Sequence, residues 1–131
     1  MLSEGVKVTI DGKELDLVLN TEAMAQLCEE FGDLEGVTER LNNATYAERI
    51  RLIPRLIALL ATQGEAVKDS GEVITAEYVT RHTLPKDIPA LTGFFLHALE
   101  IGMNVKFNPQ GGETDEVLAE ILKNARGAAG N

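Results

Sequence analysis

The chain opens on alternation. Val6-Lys-Val-Thr-Ile10 places an apolar β-branched residue at every second position. Leu15-Asp-Leu17-Val-Leu19 alternates again after Asp11-Gly12-Lys13-Glu14. An Asp-Gly pair between two alternating runs signals a hairpin, because the tight primed turns need positive φ at their central residues. The pattern predicts a β-hairpin with one apolar face. A lone hairpin is marginal in water, so that face must pack on helices or on another chain.

The period then changes to that of a helix. Asn20 and Thr21 supply an N-cap, Met24, Leu27, Cys28 and Phe31 form one stripe, and Gly32 stands where a C-terminal cap is expected. A weaker helix spans Asp33 to Asn42, carrying Leu34, Val37 and Leu41 with Gly36 inside it. Thr45-Tyr-Ala-Glu48 is a capping box, and the helix behind it is expected to run to about Thr62. Ile50, Ile53, Leu56, Ile57 and Leu60 centre its apolar arc. Leu52 and Leu59 widen that arc to about 180°, against roughly 100° for an ordinary surface helix. Pro54 removes a backbone hydrogen bond within it and is expected to kink or split the helix.

Gly64 to Val73 reads as a polar loop, and Thr75 caps a short helix from Ala76 to His82. Thr83 to Pro89 is a linker with Pro85 and Pro89, in which Asp87 is placed to cap the next helix. The segment Ala90 to Met103 is apolar almost all round, apart from a wedge of Gly93, His97 and Glu100 with Thr92 to one side. Such a helix belongs in a core or under a partner. Asn108-Pro-Gln-Gly-Gly112 breaks the chain. A last amphipathic helix is expected after Thr114 on Val117, Leu118, Ile121, Leu122 and Ala125, before a frayed tail at Gly127 to Asn131.

Together these elements predict an α+β, mainly α fold: an N-terminal β-hairpin followed by a small bundle of four to six helices. Residues 1–104 form the hairpin and helical domain. Residues 105–131 form a linker and the terminal helix. At 131 residues, 44% of them hydrophobic and 25% charged, the chain has the size and composition of one globular domain. No apolar run approaches the roughly 20 residues that span a bilayer, and MLSEGVKVTI does not read as a signal peptide. These features give the expectation of a soluble intracellular protein.

Charge narrows the choice of partners. Twelve Lys and Arg against 21 Asp and Glu leave a net charge of −9, which repels phosphate backbones and anionic headgroups. The best candidate for a basic stripe is Arg49, Arg51 and Arg55, and there is no Trp with only four Phe and two Tyr to stack on bases. No nucleic-acid or membrane partner is expected.

Candidate chemistry is sparse. His97 lies one turn from Glu100, which suits a local ion pair better than an oriented base, and His82 ends a short helix where a cation suits the dipole. The single cysteine, Cys28, excludes an internal disulfide and sits on an apolar stripe, as a packing residue would. Glu29-Glu30, Asp11 and Asp16 lack histidine partners or calcium-loop spacing, and Gln110-Gly111-Gly112 lacks the lysine of a phosphate loop. No catalytic, metal or cofactor-binding residue is assigned, and a non-enzymatic protein is expected. What remains is the wide apolar arc of the Pro54 helix on an acidic body, which suits either a helix buried within a compact bundle or a face that binds other helices.

The order of the pieces resembles a known family. Val8-Thr-Ile-Asp-Gly-Lys-Glu-Leu-Asp-Leu17 runs into Leu19-Asn-Thr-Glu-Ala-Met-Ala-Gln-Leu27 and Glu30-Phe31-Gly32. Ile57-Ala-Leu-Leu60, Ile74-Thr75-Ala76-Glu77 and Leu96-His-Ala-Leu99 follow in turn. This succession, over about Val6 to Met103, resembles the phage tail assembly chaperones and the related small proteins of prophages and gene transfer agents. Pro54 departs from the pattern.

The resemblance implies a role without a reaction. Such chaperones bind the long helical tape-measure protein, keep it soluble and are displaced as tail-tube subunits polymerise. They act in the bacterial cytoplasm and are absent from the finished virion. By this reading the partners are the tape-measure protein and other tail proteins, and a free hairpin edge with spare apolar area also suits a homo-oligomer. Helical wheels place Leu52, Leu59 and Phe94 at the edges of the apolar arcs, as partner-binding residues. The alternatives are a structural tail or head–tail connector component and a small bacterial regulator that binds another protein.

Overall fold

The structure is a computed structural model and describes residues 5–105. Strand β1 (Val6–Ile10) pairs antiparallel with β2 (Lys13–Leu17), with Val6 opposite Leu17 and Ile10 opposite Lys13. Asp11 and Gly12 both take positive φ, 52° and 79°, which is the backbone that a two-residue hairpin of the correct twist requires. Val6, Val8, Ile10, Leu15 and Leu17 point to the core, while Lys7, Thr9 and Glu14 point to water. The second strand ends at Leu17, two residues before the alternation does, because the chain turns there onto a helix.

Five helices follow. They are α1 (Thr21–Phe31), α2 (Leu34–Asn43), α3 (Tyr46–Val67), α4 (Ala76–His82) and α5 (Ile88–Met103), with a 3-10 turn at Pro85–Asp87 before the last. Each of the first four is capped by a side chain that accepts a first-turn N–H: Asn20, Asp33, Thr45 and Thr75. Thr45 and Glu48 close a reciprocal capping box, at 3.1 and 2.8 Å. The Gly32 N–H closes α1 onto the Cys28 carbonyl at 2.8 Å. Asp87 instead accepts from the Leu84 N–H at 2.8 Å, bracing the 3-10 turn and making no side-chain cap to α5.

The centre of the fold is α3. It packs against β2, α1, α4 and α5, while α5 also lies on both strands. Its wide apolar arc follows from this position: a helix with neighbours on several sides needs more than one apolar stripe. Ile53, Ile57 and Leu60 meet Leu15, Leu17, Phe95, Leu96 and Leu99 in a fully buried core. Two expectations for this helix change. It runs past Thr62 to Val67, and it is not split at Pro54. The lost N–H frees a single carbonyl, and the Pro54 ring is buried beside Ile50 and Ile88, so packing outweighs the local defect.

The strand exit and α3 touch backbone to backbone. The Val18 N–H donates to the Leu60 carbonyl at 3.2 Å. A Cβ on Gly64 would stand 2.0 Å from the Asp16 carbonyl oxygen, so the approach needs glycine. The expected linker, terminal helix and tail at 106–131 lie outside the described residues.

Candidate functional site

An open groove of about 790 Å³ is laid along α3. Residues Arg55, Leu56, Ala58, Leu59, Thr62 and Gln63 form its floor. They recur at helical spacing and so occupy one side of α3. On one flank α1 presents Glu22, Gln26, Glu29 and Glu30, again one helix face. On the other stand Val73, Ile74 and Ala76, the segment that enters α4.

The local sequence explains each wall. Asn20 and Gln63 bond at one end, at 3.0 Å, and Glu30 pairs with Arg55 at the other. Those two ties fix α1 antiparallel to α3. The second flank is held by one hydroxyl. Thr62 Oγ1 accepts from the Ile74 N–H at 2.9 Å and donates to the Ile74 carbonyl at 3.0 Å. This buries Ile74 and leaves Val73 68% exposed.

The flanks differ in character. Glu22 accepts from Gln26 at 2.8 Å, and Glu30 is neutralised by Arg55. Glu29 has no basic partner among the described residues. The α1 flank is therefore anionic, whereas the 73–76 flank and the Leu59 floor are apolar. In the sequence, Glu29-Glu30 reads as solvated charge and Val73 as part of a polar loop. The available signal was the apolar pair Val73-Ile74 within that loop.

The three expected partner-binding residues separate. Leu59 is half-buried in the groove floor, and Phe94 is 37% exposed on α5, away from the groove. Leu52 requires a correction: at 4% exposure it belongs to the chain's own core and presents no surface to a partner. A wheel shows its angle on the helix but not the elements packed on that side.

The other candidates are also dispersed. His97 Nδ1 lies 3.2 Å from Glu100 Oε1. His82 donates from Nδ1 to the Tyr78 carbonyl at 2.8 Å, stacks on the Tyr78 ring and approaches Asp11 at 3.7 Å across the hairpin turn. Cys28 is half-buried on α1. Arg49 donates to the Leu41 carbonyl at 3.0 Å and Arg55 pairs with Glu30, so Arg49, Arg51 and Arg55 form no joint basic stripe. Among the described residues no group of three or more His, Cys, Asp or Glu is placed to hold a metal ion, and no helix is long and apolar enough to cross a membrane.

The main charge cluster lies outside the groove. Lys7 and Lys68 bracket Asp16 at 3.0 and 3.1 Å, and Lys68 also reaches Glu65 at 3.6 Å. Burial alone would raise the Asp16 carboxyl, but the two ammonium groups outweigh it and hold the carboxyl below the usual range. The Thr45 backbone N–H likewise holds Glu48 low. Both are fold-stabilising contacts, at the hairpin and at a helix start.

No family model matches this chain, and neither does any curated protein or solved structure.

Proposed function

We propose that this chain is a non-catalytic tail assembly chaperone, which binds the helical tape-measure protein in the bacterial cytoplasm and keeps it soluble until the tail tube forms. The observation that carries the reading is the groove along α3, which holds Leu59 half-exposed between two well-anchored flanks. A rigid trough with a partly apolar floor suits reversible capture of a partner helix. The resemblance in element order supports the same reading, since it places a hairpin before helices that offer apolar faces. The net charge of −9 keeps a carrier of exposed apolar surface in solution.

The test is co-expression with the tape-measure protein of the same gene cluster, followed by pull-down and sizing. Tape-measure protein that is soluble only with this chain, and elutes with it, supports the chaperone role. Tape-measure protein that stays insoluble while this chain elutes alone refutes it. Recovery of the chain from purified particles would favour a structural tail component instead.

A further inference from the structure

We infer that the groove between α1 and the 73–76 segment takes one amphipathic helix of a partner, with its apolar stripe on Leu59 and Val73 and with Lys or Arg residues along its α1 side. This inference rests on the reading of the chain as a helix-binding protein and adds the chemistry and orientation of what it binds.

The walls favour a helix over an extended strand. An extended segment would need backbone partners in the groove. The backbone groups of α1 and α3 are used within those helices, and Thr62 occupies both backbone groups of Ile74. A helix satisfies its own backbone and presents only side chains. The 11 residues of α1 give that flank a length of about 16 Å, or roughly three turns.

The two flanks select the polarity of that helix. Val73 and Leu59 offer apolar contact on one side, while Glu22 and Glu29 offer carboxylates that have no basic partner among the described residues on the other. An acidic wall facing an apolar one matches a helix with basic residues beside its apolar stripe. The Glu30–Arg55 pair closes one end and limits how far the stripe extends. An acidic helix in the same place would bring carboxylates against Glu29.

The probe is a synthetic amphipathic helix of roughly five turns, with a leucine stripe flanked on one side by lysines, and a matched peptide with glutamates in their place. Binding to the full chain is followed by titration and by amide chemical-shift mapping. The lysine peptide is expected to bind, to shift α1 and 73–76 amides, and to weaken as salt is raised. Glu29→Lys, at an exposed site, and Leu59→Asp, at a half-buried one, are expected to weaken it roughly tenfold with unchanged circular dichroism. Equal binding of the glutamate peptide, shifts centred on Phe94, or no binding of either peptide would overturn the inference.

The same variants separate this inference from the chaperone role. If the wild-type and Leu59→Asp chains solubilise the tape-measure protein equally, the groove assignment fails and the chaperone reading stands. If the wild-type chain does not solubilise it, the chaperone reading fails, and the peptide titration decides the groove by itself.

Discussion

Thr62 and Ile74 hold each other by two hydrogen bonds through a single side-chain oxygen, which accepts from the Ile74 N–H and donates to its carbonyl. This joins the C-terminal third of α3 to the segment that forms one wall of the groove. Both backbone groups belong to a buried residue. Thr62→Val keeps the shape and removes both partners, which should cost about 1–3 kcal/mol, the usual penalty for stranding a buried polar group. Thr62→Ser should retain most of the stability. Urea unfolding of the three proteins measures the order.

Two glycines in helices should respond in opposite directions. Gly64→Ala drives a Cβ to 2.0 Å from the Asp16 carbonyl oxygen, and the obstacle is backbone. The substitution should destabilise by about 1–3 kcal/mol. Gly93 on α5 has nothing within 4 Å of an added Cβ. Gly93→Ala should stabilise by about 0.5–1 kcal/mol through helix propensity alone. Denaturant midpoints that move the same way for both would contradict the close crossing of α3 and β2.

Leu52 and Leu59 also part company. Leu52→Asp places a carboxylate in the core and should unfold the domain or raise that group's pKa far above its ordinary value. Leu59→Asp can keep its charge in the open groove and should leave the far-UV circular dichroism unchanged while partner binding falls. Thermal melts read beside pull-downs distinguish loss of fold from loss of surface.

Asp16 gives the pH dependence a sign. Its carboxyl is lowered in the folded state, so its contribution is complete above the ordinary carboxylate range and is lost as pH falls through the folded pKa. The melting temperature of the wild type should exceed that of Asp16→Asn at neutral pH. The gap should close as pH drops below about 4. A gap independent of pH would show that Lys7 and Lys68 do not act on an ionised Asp16.

At the start of α3, Thr45→Ala removes one half of the capping box and should cost about 1 kcal/mol. Thr45→Ser should restore most of it. Thermal or urea midpoints report the difference.

Local chemistry was readable from the sequence wherever a few adjacent residues decide it. The Asp11-Gly12 turn, the caps at Asn20, Thr45 and Thr75, and the α+β hairpin-then-helices order all depend on backbone geometry within a few positions, and the structure shows each of them. Periodicity also found the core stripe of α3. Tertiary structure decided what lies against each stripe. It buried Leu52 and left Leu59 half-open, because α3 has neighbours on several sides and a helical wheel contains none of them. It carried α3 unbroken through Pro54, since packing of the ring offsets one missing hydrogen bond. It also built the groove, whose flanks are some 45 residues apart in sequence. Only the ties from Asn20 to Gln63, Glu30 to Arg55 and Thr62 to Ile74 bring an acidic face and an apolar segment to opposite sides of one helix.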